Sequence, residues 1–185
     1  MSSNRTWQGC VFVGASLDGF IARDDGDIAW LSRPRPRIHA QPTSSLPALT
    51  WEDFFPSIDV IVMGRATYEL AMSFSQWPYE ERPMIVLSHG LAEQEGHVEV
   101  ARSVDDAVRA IERHEGRRVY VDGGQTIQSF LAAGLIDELT VAFAPVLLGK
   151  GIRLFGEVSS DILLTVRGSH VSSPDGLLRV TYDVA

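Results

Sequence analysis

Val60-Ile61-Val62-Met63-Gly64-Arg65-Ala66-Thr67 contains, in eight residues, the change of rhythm that decides the fold. Four apolar residues in a row, three of them β-branched, read as a strand buried on both faces, as in a parallel sheet covered by helices. Gly64 interrupts the run, and from Thr67 the spacing predicts a helix over 67–72. Strand, glycine turn and helix in that order make half of a βαβ unit. At such a turn glycine lets a ligand approach the backbone and the helix start offers free N–H groups. Arg65 adds positive charge, so the stretch suits an anion.

The same succession recurs further along the chain. Val119-Tyr120-Val121 runs into Asp122-Gly123-Gly124-Gln125-Thr126, with a helix predicted over 126–133 that closes at Gly134. Met84-Ile85-Val86-Leu87 ends in Ser88-His89-Gly90. Strands are predicted over 10–15, 60–63, 84–88, 119–121 and 138–145, with further helices over 51–55 and 103–114. Ser103 stands three residues before Asp106, close to a capping box, and Val104, Ala107, Val108, Ala110 and Ile111 fall mostly on one helical face. Near the C-terminus the rhythm becomes strand-like on either side of Ser172-Ser173-Pro174-Asp175-Gly176, whose residues supply turn chemistry. The expected architecture is a three-layer α/β/α domain over 1–185. Its sheet is mixed and mostly parallel, with an antiparallel C-terminal hairpin. Ligands of such sheets bind at the carboxyl ends of the strands, so the three turns would converge on one dinucleotide.

Composition narrows the function. The formal charge of −8 argues against a nucleic-acid partner, which needs a basic face. No apolar stretch approaches the ~20 residues of a membrane span, and residues 1–10 lack the hydrophobic centre of a signal peptide. A cytoplasmic location is expected, which the single cysteine, Cys10, also fits. The five histidines are scattered without metal-ligand spacing, so no metal site is expected. There is no Gly-x-Ser-x-Gly elbow, and neither glycine turn is a Gly-x-Gly-x-x-Gly fingerprint or a Walker loop. Between Ile28 and Trp51 no residue is acidic, and Arg33, Arg35, Arg37 and His39 interleave with prolines. That stretch is either a solvated loop or a basic flap over a phosphate-bearing ligand. Trp30 and Trp77 are candidates to line a pocket for a planar heterocycle.

The ordered set of motifs resembles the dihydrofolate-reductase-like superfamily, and within it the reductase domain of the riboflavin-pathway deaminase–reductase and its stand-alone relatives. The resemblance rests on several stretches. Val11-Phe12-Val13-Gly14-Ala15-Ser16-Leu17-Asp18-Gly19-Phe20-Ile21-Ala22 looks like the first strand and loop. Met63-Gly64-Arg65-Ala66-Thr67-Tyr68-Glu69 looks like the cofactor turn, and Arg102-Ser103 like the segment near the adenine. Val121-Asp122-Gly123-Gly124-Gln125-Thr126 looks like the glycine pair. Gly134-Leu135-Ile136-Asp137-Glu138 and the stretch from Pro145 to Phe155 complete the pattern, which covers about residues 8–183.

The resemblance implies an NADPH-dependent reductase of a small heterocycle, pterin-like or ribosylaminopyrimidine-like. Ala15 and Ile21 would flank the nicotinamide. Gly64, Arg65 and Thr67 would hold the pyrophosphate and its ribose, with Gly123, Gly124, Gln125 and Thr126 on the other side. Ser88 and Arg102 would lie near the adenosine 2′-phosphate. Asp122, Asp18 or Glu52 would supply the proton; Glu52 or Asp53 stands where dihydrofolate reductases carry an acid before the Met-Gly-Arg turn. The alternative is a non-catalytic nucleotide- or ligand-binding module of the same fold, or a nucleotide-binding subunit acting through a partner. A homodimer is expected, with the apolar stretch 135–148 and the loop that follows it as a candidate two-fold interface.

Overall fold

The continuous apolar run at residues 60–63 is matched by helices on both sides of the sheet. Along the chain the computed structural model has β1 (Gln8–Ser16), β2 (Phe20–Ala22), α1 (Trp51–Phe54), β3 (Val60–Gly64), α2 (Arg65–Met72), β4 (Met84–Leu87) and β5 (Val98–Ala101). There follow α3 (Val104–Arg113), β6 (Arg118–Asp122), α4 (Gly124–Ala132), β7 (Glu138–Ala144), β8 (Ile152–Arg153), β9 (Leu164–Val171) and β10 (Leu178–Val184). The structure describes residues 5–32, 47–92, 98–171 and 175–185. Most of the proline- and arginine-rich stretch therefore lies outside the described residues, as do Ser172, Ser173 and Pro174 of the expected turn.

Eight strands form one sheet in the order β5-β4-β3-β6-β1-β7-β10-β9. The pairs from β5 to β7 are parallel, and β10 runs antiparallel to both β7 and β9. Side chains alternate between two cores. Val60 and Val62 of β3 and Val119 and Val121 of β6 pack with Ala107 and Ile111 of α3 and Ile127 and Phe130 of α4. Ile61, Met63 and Tyr120 turn the other way, onto Phe54, Phe55, Tyr68 and Ala71. Burial on both faces is why these strands carry no polar alternation. The register is what positions the site: Gly64 pairs with Leu87, and Met63 with Asp122. The carboxyl ends of β3, β4 and β6 thus lie side by side.

Four features differ from the sequence reading. Helix α2 begins at Arg65, two residues early, so the Gly64 turn is shorter than expected. Edge strand β5 was not expected. Neither was the antiparallel pair β2–β8, a separate two-stranded sheet. Half of the apolar stretch 135–148 is strand β7, held between β1 and β10 with Leu139, Val141, Ala142 and Ala144 buried. That strand serves the core, while beyond it Leu147 is exposed.

Candidate active site at the strand ends

A cleft of about 1000 Å³ opens where β3, β4 and β6 end. That volume is at the upper end of the range for small-molecule and cofactor sites. Two glycine turns form its floor. The first lines it with Gly64, Arg65, Ala66 and Thr67, the second with Gly123, Gly124, Gln125 and Thr126. The turns are packed against each other. A Cβ on Gly64 would sit 3.0 Å from Thr126 Oγ1, and one on Gly123 would strike the Thr67 hydroxyl. Gly123 also holds φ at +87°, in the region that favours glycine.

Helix capping separates these two turns from the rest. Thr50 caps α1 and Ser103 caps α3, each by accepting a backbone N–H. At α2 and α4 the N-cap positions are Gly64 and Gly123, and no side chain caps either helix. Orphan N–H groups at two helix starts are thus available to one cleft, and such groups bind anions well.

The end of β4 closes one side. Ser88 Oγ accepts the N–H of Gly90 at 3.3 Å and of Leu91 at 3.1 Å. Arg102 clamps this turn by donating to the carbonyls of Ser88 at 2.8 Å and Leu91 at 2.6 Å. Ser88, His89 and Arg102 all line the cleft. Arg65, half exposed, pairs through Nε with Glu69 Oε1 at 2.7 Å. Its Nη1 lies 3.5 Å from where a Gly90 Cβ would stand, so it reaches toward the same turn. Ile21 lines the cleft beside Val13 and Gly14, whereas Ala15 is fully buried in the core behind them.

The three candidate acids have separate fates. Asp122 lines the cleft at the end of β6. Its Oδ1 accepts the Gly123 N–H at 2.8 Å and its Oδ2 accepts the Tyr79 hydroxyl at 3.0 Å. Burial pushes its carboxyl above the ordinary value, against the opposing pull of the Gly123 N–H and the Tyr79 and Tyr120 hydroxyls. Asp18 lies outside the cleft lining. It accepts Ser16 Oγ at 2.6 Å, and the N–H groups of Leu148 at 3.1 Å and Gly149 at 2.8 Å. The Ser16 hydroxyl first, and those backbone donors after it, lower it to about 2. It braces the β1–β2 turn and holds no proton near neutrality. Glu52 is exposed in the first turn of α1, and neighbouring Asp53 is taken up by the Thr50 cap. Neither lines the cleft.

The tryptophans also fall elsewhere. Trp30 is buried under Ala142, Ala144 and Leu177, and the Trp77 indole donates to the Glu80 carbonyl at 2.9 Å. Tyr79 was missed by sequence reasoning. The only signal for it was an aromatic residue flanked by Pro78 and the acids Glu80 and Glu81. Among the described residues no cluster of His, Cys, Asp or Glu is gathered for a metal, and no helix is long and apolar enough to cross a membrane.

Comparison with known proteins agrees with this geometry. An uncharacterized Bacillus subtilis protein, YwjB, is 28% identical over 86% of this chain and 88% of its own. The crystal structure of a putative riboflavin biosynthesis protein from Shewanella sp. PV-4 superposes with a TM-score of 0.81 at 33% identity, covering 96% of this chain and 99% of that one. Dihydrofolate reductase from Enterococcus faecalis, solved with NADP(H) and RAB-propyl, shares the fold. Its TM-score is 0.62 at 20% identity, over 97% of this chain and 95% of that one. The family model described as the RibD C-terminal domain matches residues 9–178. A match over nearly the whole chain means that this chain belongs to the RibD C-terminal domain family.

Proposed function

We propose that the protein is a reductase that uses NADPH to reduce a C=N or C=O bond in a small heterocycle of the pyrimidine or pterin kind. Family and fold are those of reductases of the riboflavin-pathway type. The observation that carries the finer reading is the pair of uncapped helix starts in one cleft with Asp122. A dinucleotide's pyrophosphate is the anion that two such starts would share. The donor set fits: backbone N–H groups at Gly64–Thr67 and, since the Gly123 N–H is taken by Asp122, at Gly124–Thr126 for the pyrophosphate, with Ser88 and Arg102 at the adenosine 2′-phosphate. Ile21 and the β1 end near Ala15 would border the nicotinamide. When bound, the cofactor supplies the hydride, and the protein supplies position and electrostatics.

The chain's own chemical contribution is a proton. Asp122, its proton affinity raised by burial, holds one at pH values where a surface aspartate does not. It would deliver that proton to the substrate atom that gains electron density as the neighbouring carbon accepts hydride. Arg65→Ala is expected to weaken NADPH binding by about 1–3 kcal/mol, the scale of a lost charge-assisted contact. The fold should not suffer, because the exposed Arg65–Glu69 pair contributes little. Fluorescence titration checks this, and wild-type affinity in the variant would mean that Arg65 does not touch the cofactor. The function itself is tested by following NADPH consumption against a panel of reducible pyrimidines and pterins. Consumption matched one-to-one by reduced product supports the proposal. Binding without consumption across the panel would favour a ligand-binding module.

A further inference from the structure

Between α2 and β4 the chain adopts a conformation that its own residues resist. Glu80 has φ +53°, in the left-handed region that long side chains rarely occupy. The loop is braced around it. The Trp77 indole N–H donates to the Glu80 carbonyl at 2.9 Å, and Arg82 Nη2 lies 3.5 Å from Glu80 Oε2. Arg82 also donates to the Ile58 carbonyl and lies over the Phe55 ring, 4.7 Å from its centroid. Strain of this kind persists where the surroundings over-determine it, and it gathers at functional sites.

The residue just before the strained one is Tyr79. It is 8% exposed, packs edge-on to Trp77 at 5.5 Å and lines the cleft. Its hydroxyl donates to Asp122 Oδ2 at 3.0 Å. Tyr120 also lines the cleft, and its hydroxyl donates to the Phe12 carbonyl at 3.0 Å. Of the two phenols that favour the charged carboxyl, Tyr79 is the one whose hydroxyl is directed at it, at 3.0 Å.

We propose that Tyr79 is the positioning residue for Asp122. The strained loop delivers its hydroxyl to one carboxyl oxygen while the Gly123 N–H holds the other, so the carboxyl plane is fixed with its proton presented to the cleft. The proposal rests on reading Asp122 as the proton source. Two donors on two oxygens leave the group no free rotation, and a fixed donor angle is what proton transfer requires. The other titratable or charged groups that line the cleft are Asp25, Arg65, Glu69, His89, Arg102 and Tyr120. Against the burial that raises Asp122 stand only neutral donors. The Tyr79 hydroxyl is one of these, so removing it must raise the carboxyl further.

Tyr79→Phe keeps the ring and deletes the donor. Carbon NMR of the Asp122 carboxyl in the cofactor-free protein is expected to show its titration midpoint moved up by about one unit. The high-pH limb of the kcat profile should move up with it. The kcat plateau should fall about tenfold while KM for NADPH stays at the wild-type value. An unmoved midpoint together with superimposable pH profiles would overturn the role of Tyr79. The proton-source reading fails separately, if Asp122→Asn turns over at the wild-type rate.

Discussion

Asp122→Asn is expected to lower turnover by about a hundredfold to ten-thousandfold, the span of a lost general acid, and to leave NADPH affinity nearly unchanged. The carboxamide can still accept one of the two hydrogen bonds, so the shape of the site survives while the transferable proton does not. In the wild type the rate should fall as pH rises through the raised value of Asp122, because the protonated form is the active one. In the variant that limb should vanish. Steady-state kinetics across pH reads both effects.

The same substitution has a stability consequence of opposite sign. A carboxyl whose native value lies above its unfolded value, 3.8, favours the folded state fully below that value. This contribution is lost as pH rises through the raised native value. Above the raised native value the wild type therefore carries a buried, unfavourable carboxylate that Asp122→Asn removes. Thermal melts should place the variant's Tm at or above wild type on the high-pH side of that value, with the gap closing as pH falls through it. A variant that is both inactive and markedly less stable above that value would point to a structural role for Asp122.

Gly123→Ala is the second large effect. The position combines φ +87° with a Cβ path that runs into the Thr67 hydroxyl. Occupying a left-handed position with a β-carbon costs on the order of 1–3 kcal/mol. The collision must also push the two cofactor turns apart. Urea unfolding should register the first cost, and NADPH affinity should drop at least tenfold from the second. Gly134→Ala is the matched control, since Gly134 has φ +65° but nothing within 4 Å of the added carbon. It should lose about 1 kcal/mol of stability and bind NADPH as the wild type does. Equal effects at both positions would mean that the Gly123 turn does not shape the cofactor site.

The central strands and the turns that follow them were legible because their physics is local. A strand buried on both faces must be a run of apolar residues, and a glycine before a helix leaves that helix uncapped. Strand β5 escaped because it is a four-residue edge strand of half-buried side chains, in which Glu99 faces out to pair with Arg113 and His114. The β2–β8 pair is too short to carry any period, and its two strands meet only through the fold. Asp18 illustrates a harder limit. An aspartate at a strand end beside the expected nicotinamide reads as a candidate acid. Its partners Leu148 and Gly149 lie 130 and 131 residues away, and they make it a brace. Tyr79 reaches Asp122 across 43 residues and owes its aim to a strained backbone angle, which no local pattern encodes.

Calorimetric titration of the protein with NADPH and, separately, with NADH is the measurement that tests the cofactor cleft most directly. Saturable one-to-one NADPH binding is expected, with NADH at least tenfold weaker, the scale of losing the charge-assisted contacts to the 2′-phosphate. Binding of neither dinucleotide would contradict the assignment of the paired helix starts to a pyrophosphate.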